Sequence, residues 1–115
     1  MNNVQVRYRI KSSQEILYLK RFGESFSDSN LVLIKKRNEL GYSRYAVIAS
    51  KAVGGAVQRN RCKRRIRNRI NRFIKLCRPD VDLLFIARLP LLESSSDELD
   101  QSIYTLINSA GLLIS

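Results

Sequence analysis

Between residues 58 and 78 the apolar side chains Cys62, Ile66, Ile70, Phe73 and Cys77 recur at steps of 4, 4, 3 and 4. At 100° per residue they fall within an arc of about 80°, which predicts one buried stripe on a long helix. Pro79 stops it, because proline has no N–H to give and clashes with the preceding turn. Residues 81–88, Val-Asp-Leu-Leu-Phe-Ile-Ala-Arg, are almost continuously apolar, the pattern of a central strand covered on both faces. Residues 30–37 open with Leu-Val-Leu-Ile, and residues 44–50 are built around Tyr45, Val47 and Ile48. Both read as strands, and the segment 38–43 with Gly41 predicts a hairpin joining them. Val53, Gly54, Gly55 and Ala56 form a turn into the long helix.

Two shorter helices flank these elements. Ser12 or Ser13 caps the first, with Glu15 in its opening turn, Ile16, Tyr18, Leu19 and Phe22 as its apolar face, and Gly23 at its end. Ser94–Ser96 offer caps for the last, Asp97 and Glu98 suit its dipole, and Leu99, Ile103, Leu106, Ile107 and Ala110 form its buried face. A strand, a long helix and a strand make a βαβ unit, so the strands at 44–50 and 81–88 are predicted to be parallel neighbours. The expected architecture is a two-layer α/β (α+β) sandwich with a small mixed sheet. At 115 residues it is a single domain, 1–115, in which 1–11 reads as a loose basic arm.

Charge changes the picture. The chain carries 21 Lys plus Arg against 10 Asp plus Glu, a net +11. Eleven of the basic residues and none of the acids lie between residues 51 and 78, so the rest of the chain is balanced. The helix therefore presents a cationic arc with Lys63, Arg64, Arg65, Arg67, Arg72, Lys75 and Arg78, which no nearby acidic run neutralises. Such a surface suits a polyanion, and nucleic acid first, since phosphate contacts by Lys and Arg supply most non-specific affinity. At its start, Gln58, Arg59, Asn60 and Arg61 bring planar donors to the positive end of the helix dipole. Asn60 is alternatively a simple helix cap, and Gly54 and Gly55 either a plain turn or a place for close approach of a backbone.

Other chemistries are thin. There is no histidine and there are only two cysteines, Cys62 and Cys77, which sit on the apolar stripe as small core residues. A zinc site and an imidazole base are both excluded. Asp80 and Asp82 flank Val81, a pair that either holds a hydrated magnesium ion or is an ordinary strand entrance. No apolar run approaches the roughly 20 residues of a membrane span, and no secretory signal pattern is present, so a cytoplasmic protein with reduced thiols is expected. Tyr8, Tyr18, Phe22, Tyr42 and Tyr45 are candidates either for the core or for stacking on unpaired bases.

Residues 50–67, Ser-Lys-Ala-Val-Gly-Gly-Ala-Val-Gln-Arg-Asn-Arg-Cys-Lys-Arg-Arg-Ile-Arg, resemble the signature of the bacterial ribonuclease P protein subunit. The resemblance extends to Arg9-Ile10-Lys11, Gly23, Ser25 and the Ile-Ala-Arg of residues 86–88. It implies a fold similar to a ribosomal-protein domain, with a strand-helix-strand crossover of the uncommon left-handed sense, against general chirality. It implies binding to the catalytic RNA and to the 5′ leader of precursor tRNA. The protein assists removal of the leader and broadens substrate use, while the RNA cuts with magnesium ions that it mainly holds itself. Neither a membrane nor DNA is an expected partner, and no catalytic residue or metal ligand is expected in this chain.

By the same resemblance, Lys51, Arg59, Asn60, Arg61, Lys63, Arg64 and Arg67 contact the RNA, and Arg65 adds a charge where the family has an apolar residue. Ala52 replaces a family lysine. Ile16, Lys20 and Ile34 stand where the leader cleft commonly has aromatics; Tyr18, Phe22 and Ser50 complete that candidate cleft. Rival classes are a ribosomal RNA-binding protein and, least supported, a protein nuclease.

Overall fold

The computed structural model describes residues 8–114. Helix α1 (Ser13–Phe22) opens at Ser12, whose hydroxyl accepts from the Glu15 N–H at 3.3 Å. It ends at Gly23, where a Cβ would collide with the Ile34 side chain and lie 2.6 Å from the Leu19 carbonyl oxygen. Strands β1 (Glu24–Ser27), β2 (Leu31–Arg37) and β3 (Arg44–Ala49) follow, then a 3-10 turn at Lys51–Val53. Helix α2 (Ala56–Ile74), strand β4 (Val81–Ala87), a second 3-10 turn at Leu89–Glu93 and helix α3 (Ser96–Ser109) complete the order. The entry to α2 needs Gly54, whose φ of 135° is disfavoured for residues bearing a Cβ. α3 starts with a capping box in which Ser95 and Glu98 satisfy each other's backbone N–H groups.

The sheet order is β1-β2-β4-β3, with β3 and β4 parallel across the α2 crossover as expected. The hairpin expected between β2 and β3 does not form. β4 lies between them, antiparallel to β2 and parallel to β3. The reason is burial: Leu83, Leu84 and Phe85 point to alternate faces yet are all at most 1% exposed, which only a central position allows. β2 instead forms its hairpin with β1, through a turn in which the Asp28 carboxylate accepts from the N–H groups of Asn30 and Leu31 at 2.8 and 2.9 Å.

Two apolar clusters sit on the two sheet faces. On one face Leu31, Leu33, Tyr45, Val47, Leu83, Phe85 and Ala87 pack against the α2 stripe and the inner side of α3. Full burial of such side chains contributes roughly 1.5–3 kcal/mol each, so this is the principal core. The opposite face is only partly covered: Leu19 of α1 and Ile10 close over Ile34, Ala46 and Leu84. Val32, Ile48 and Ile86 pack at the margin of this cluster and stay half-buried.

Of the segment read as a loose arm, residues 1–7 lie outside the described residues. Tyr8–Ile10 are not loose: Ile10 donates to the Tyr45 carbonyl at 2.7 Å, Tyr45 donates to that of Tyr8 at 3.0 Å, and Ile10 is buried. Tyr18 and Phe22, assigned by sequence to the apolar face of α1, are instead exposed, because a lone helix on a narrow sheet buries only the arc around Leu19.

Candidate nucleic-acid interface

α2 turns Cys62, Ile66, Ile70 and Phe73 into the core, so its cations divide into two flanks. The flank toward α3 is largely used within the fold. Arg65 donates to the carbonyl oxygens of Leu91 and Ser94 at 2.7 and 2.6 Å, clamping the second 3-10 turn. Arg69 and Arg72 converge on Asp100 of α3 at 2.8 and 2.9 Å. The arc was expected to meet no intramolecular acid run, and among its cations Arg72 is nonetheless paired, with the single carboxylate of Asp100. Arg65, counted above among the RNA contacts, is turned toward the body of the protein: charge counting along the chain does not register carbonyl oxygens as partners. Arg65→Ala is expected to destabilise by about 1–3 kcal/mol through its two charged hydrogen bonds. The salt dependence of RNA binding should not change, and a slope lower by about one would instead place Arg65 on a phosphate.

The other flank passes the edge strand β3. Here Arg59, Asn60 and Lys63 border a hollow of about 240 Å³ with Ile48, Ala49 and Ala56. Asn60, Arg64 and Arg67 border the adjoining hollow with Val57. Asn60 is exposed and lies inside the helix, whose N-cap is Gly55, so capping is not its role. Among the described residues no carboxylate is within ion-pair distance of Lys51, Arg59, Arg61, Lys63 or Arg64. Arg67 is half-buried, and burial together with the neighbouring charge of Arg9 pushes its pKa down, while Tyr45 acts the other way. The start of α2 has no side-chain cap and no acid in its first turn, leaving the positive end of the dipole open to an anion.

The proposed cleft residues separate. α1 crosses the outer sheet face and divides it. On one side Ile16, like Val32, Ile48 and Ile86, lies half-buried at the margin of the outer cluster, and Lys20 follows one helical turn on. This shallow apolar groove runs into the cationic flank of α2 at β3, where half-buried Ser50 donates its N–H to the Ala87 carbonyl at 3.1 Å and Lys51 is exposed. Ile34 is buried beneath α1, packed with Leu19, and does not line the groove. Tyr18 and Phe22 face the opposite side of α1, beside Lys36. Val32, Ile48 and Ile86, which share this face with Ile16, are not among the cleft residues expected from sequence.

Acids and thiols offer little chemistry. Asp82 accepts from Arg44 at 3.0 and 2.8 Å and from Asn38 at 2.8 Å, which satisfies the carboxylate at the strand entrance. The Asp82 and Glu15 carboxylates in turn hold the Arg44 guanidinium more firmly protonated than usual. No cluster of three His, Cys, Asp or Glu suited to a metal occurs among the described residues. Cys62 and Cys77 are buried and unbridged, and burial pushes the Cys77 thiol up to about 11, so it is an unreactive core residue at neutral pH.

A family model for ribonuclease P matches residues 4–111 of this chain. The chain belongs to the ribonuclease P protein family. The ribonuclease P protein component of Clostridium kluyveri is 39% identical over 107 residues, covering 91% of this chain and 96% of the relative. That of Clostridium beijerinckii is 35% identical over 112 residues, covering 91% and 90%. The solved structure of the Staphylococcus aureus RNase P protein superposes with a TM-score of 0.81 at 26% identity, over 93% of this chain and 98% of that one. This ribonuclease P protein is thus the accessory subunit of a ribonucleoprotein enzyme of tRNA processing, and RNA is its partner. Among its described residues no helix is long and apolar enough to cross a membrane.

Proposed function

We propose that this ribonuclease P protein binds the catalytic RNA through Lys51, Arg59, Asn60, Arg61, Lys63, Arg64 and Arg67, and holds the unpaired 5′ leader of precursor tRNA along the groove lined by Ile16, Val32, Ile48 and Ile86. One observation carries the reading. Arg59 and Lys63, which have no carboxylate within ion-pair distance among the described residues, meet the half-buried apolar strip at the edge strand, where they and Asn60 adjoin Ile48 and Ala49. A strand of RNA needs both surfaces at once, cations for its phosphates and an apolar floor for bases freed from stacking.

The protein binds, orients and offsets phosphate repulsion between two RNAs, work for which this surface is sufficient. It offers no imidazole base, since it has no histidine, and Asp82 and Asp100 are tied to arginines. The magnesium ions of the reaction are, in this reading, held mainly by the RNA. The described carboxylates do not fit a resident ion, as Asp82 is already filled by Arg44 and Asn38. A cytoplasmic site of action goes with this role.

Cleavage of a labelled precursor tRNA by a bacterial ribonuclease P RNA at low magnesium tests the reading. Stimulation at the mature 5′ end that requires both components is the expected result. Cleavage by the protein alone, or RNA binding without any stimulation by a cognate catalytic RNA, would contradict it.

A further inference from the structure

On the side of α1 away from the groove, Tyr18 and Phe22 lie one helical turn apart with ring centroids 4.9 Å apart. They are 52% and 58% exposed, so the pair is not core. Each ring carries a cation: Lys36 lies 5.6 Å from the Tyr18 centroid and Arg21 5.5 Å from that of Phe22. Phe22 also borders a hollow of about 660 Å³ with Lys36, Arg37, Arg78, Asp80 and Glu24. Glu24 is within 3.6 Å of Lys35, which leaves this rim cationic overall. Exposed aromatic faces flanked by Lys and Arg are what successive unpaired bases and their phosphates require.

We propose that the Tyr18–Phe22 pair is a second RNA platform, which stacks unpaired leader nucleotides upstream of those in the groove, with Lys36, Arg37 and Arg78 meeting their phosphates. The inference rests on the groove reading above, since a strand lying along Ile16 and Lys20 needs only to cross α1, about 10 Å wide, to reach these rings. The platform then distinguishes long leaders from short ones, a selectivity that the groove alone does not provide.

The test measures binding of the reconstituted holoenzyme to two precursor tRNAs, one with a short leader that ends in the groove and one extended by unpaired adenosines. For the Tyr18→Ala/Phe22→Ala variant, affinity for the long-leader substrate should fall about tenfold. Affinity for the short-leader substrate should stay unchanged, which also verifies folding. Tyr18→Phe should behave as wild type. Equal loss on both substrates would overturn the proposal in favour of a catalytic-RNA contact or a folding defect. No loss on either, or no leader-length dependence in the wild type, would overturn it outright. The groove reading fails separately, taking the platform with it, if Ile48→Glu leaves short-leader binding intact.

Discussion

Replacing Arg59, Lys63 and Arg64 together by alanine should weaken binding to the catalytic RNA by about 10²–10³-fold while leaving the fold intact. These side chains have no ion-pair partner among the described residues, so removing them breaks no intramolecular pair. Three lost charge-assisted contacts at about 1–1.5 kcal/mol each give that range. The logarithmic salt slope should fall by about 2–3, since each phosphate contact contributes about 0.7–0.9. Stability should hold or rise slightly. Arg59 and Lys63 are four residues apart, as are Lys63 and Arg67, and like charges at that spacing destabilise a helix by a few tenths of a kcal/mol. Affinity measured by filter binding across a salt series, alongside a thermal melt, separates the effects. A variant that melts well below wild type with an unchanged salt slope would mean that these cations serve the fold and not the RNA.

That trade of stability for charge explains what could be read from the chain alone. The α2 stripe was legible because a 3.6-residue period has no other use for Cys62, Ile66, Ile70 and Phe73, and all four are buried. The central place of β4 was legible from its two apolar faces, whereas its neighbours were not. Sequence adjacency suggested that β2 pairs with β3, but long-range burial decides strand order, and β4 separates them. β1 is faint in the sequence because Glu-Ser-Phe-Ser offers one apolar residue, Phe26, and only the Asp28-Ser29-Asn30 turn after it marks a hairpin. Charge density correctly located the basic helix but could not sort its two flanks. Arg65 is bound by two carbonyls and Arg69 and Arg72 by one distant carboxylate, contacts that depend on where α3 docks. For Tyr18 and Phe22 the sequence leaves core packing and base stacking open, because an apolar residue on a short helix suits either; the half-covered outer sheet face leaves both exposed.

Ile66→Ala is the converse experiment, and it should unfold where the triple variant should not. Ile66 is fully buried near the middle of α2 and packs in the principal core with Ile70, Tyr45 and Phe85. Truncation there removes transfer free energy and leaves a cavity, at about 2–5 kcal/mol. Against a total of about 5–15 kcal/mol, this is a large share. For a chain of this length it corresponds to a melting temperature lower by about 10–20 °C. The folded fraction should keep its RNA affinity, because the cationic flank runs past β3 at the helix start and Ile66 does not itself reach it. RNA that binds the native state alone then stabilises it by about 2.7 kcal/mol at a free concentration 100 times the Kd. Catalytic RNA should therefore restore much of the lost melting temperature of Ile66→Ala and little of any shift in the arginine and lysine variant. Failure of RNA to raise the Ile66→Ala melt would mean that the stripe and the cationic flank are not independent, and that α2 is positioned for RNA only when its core face is fully packed.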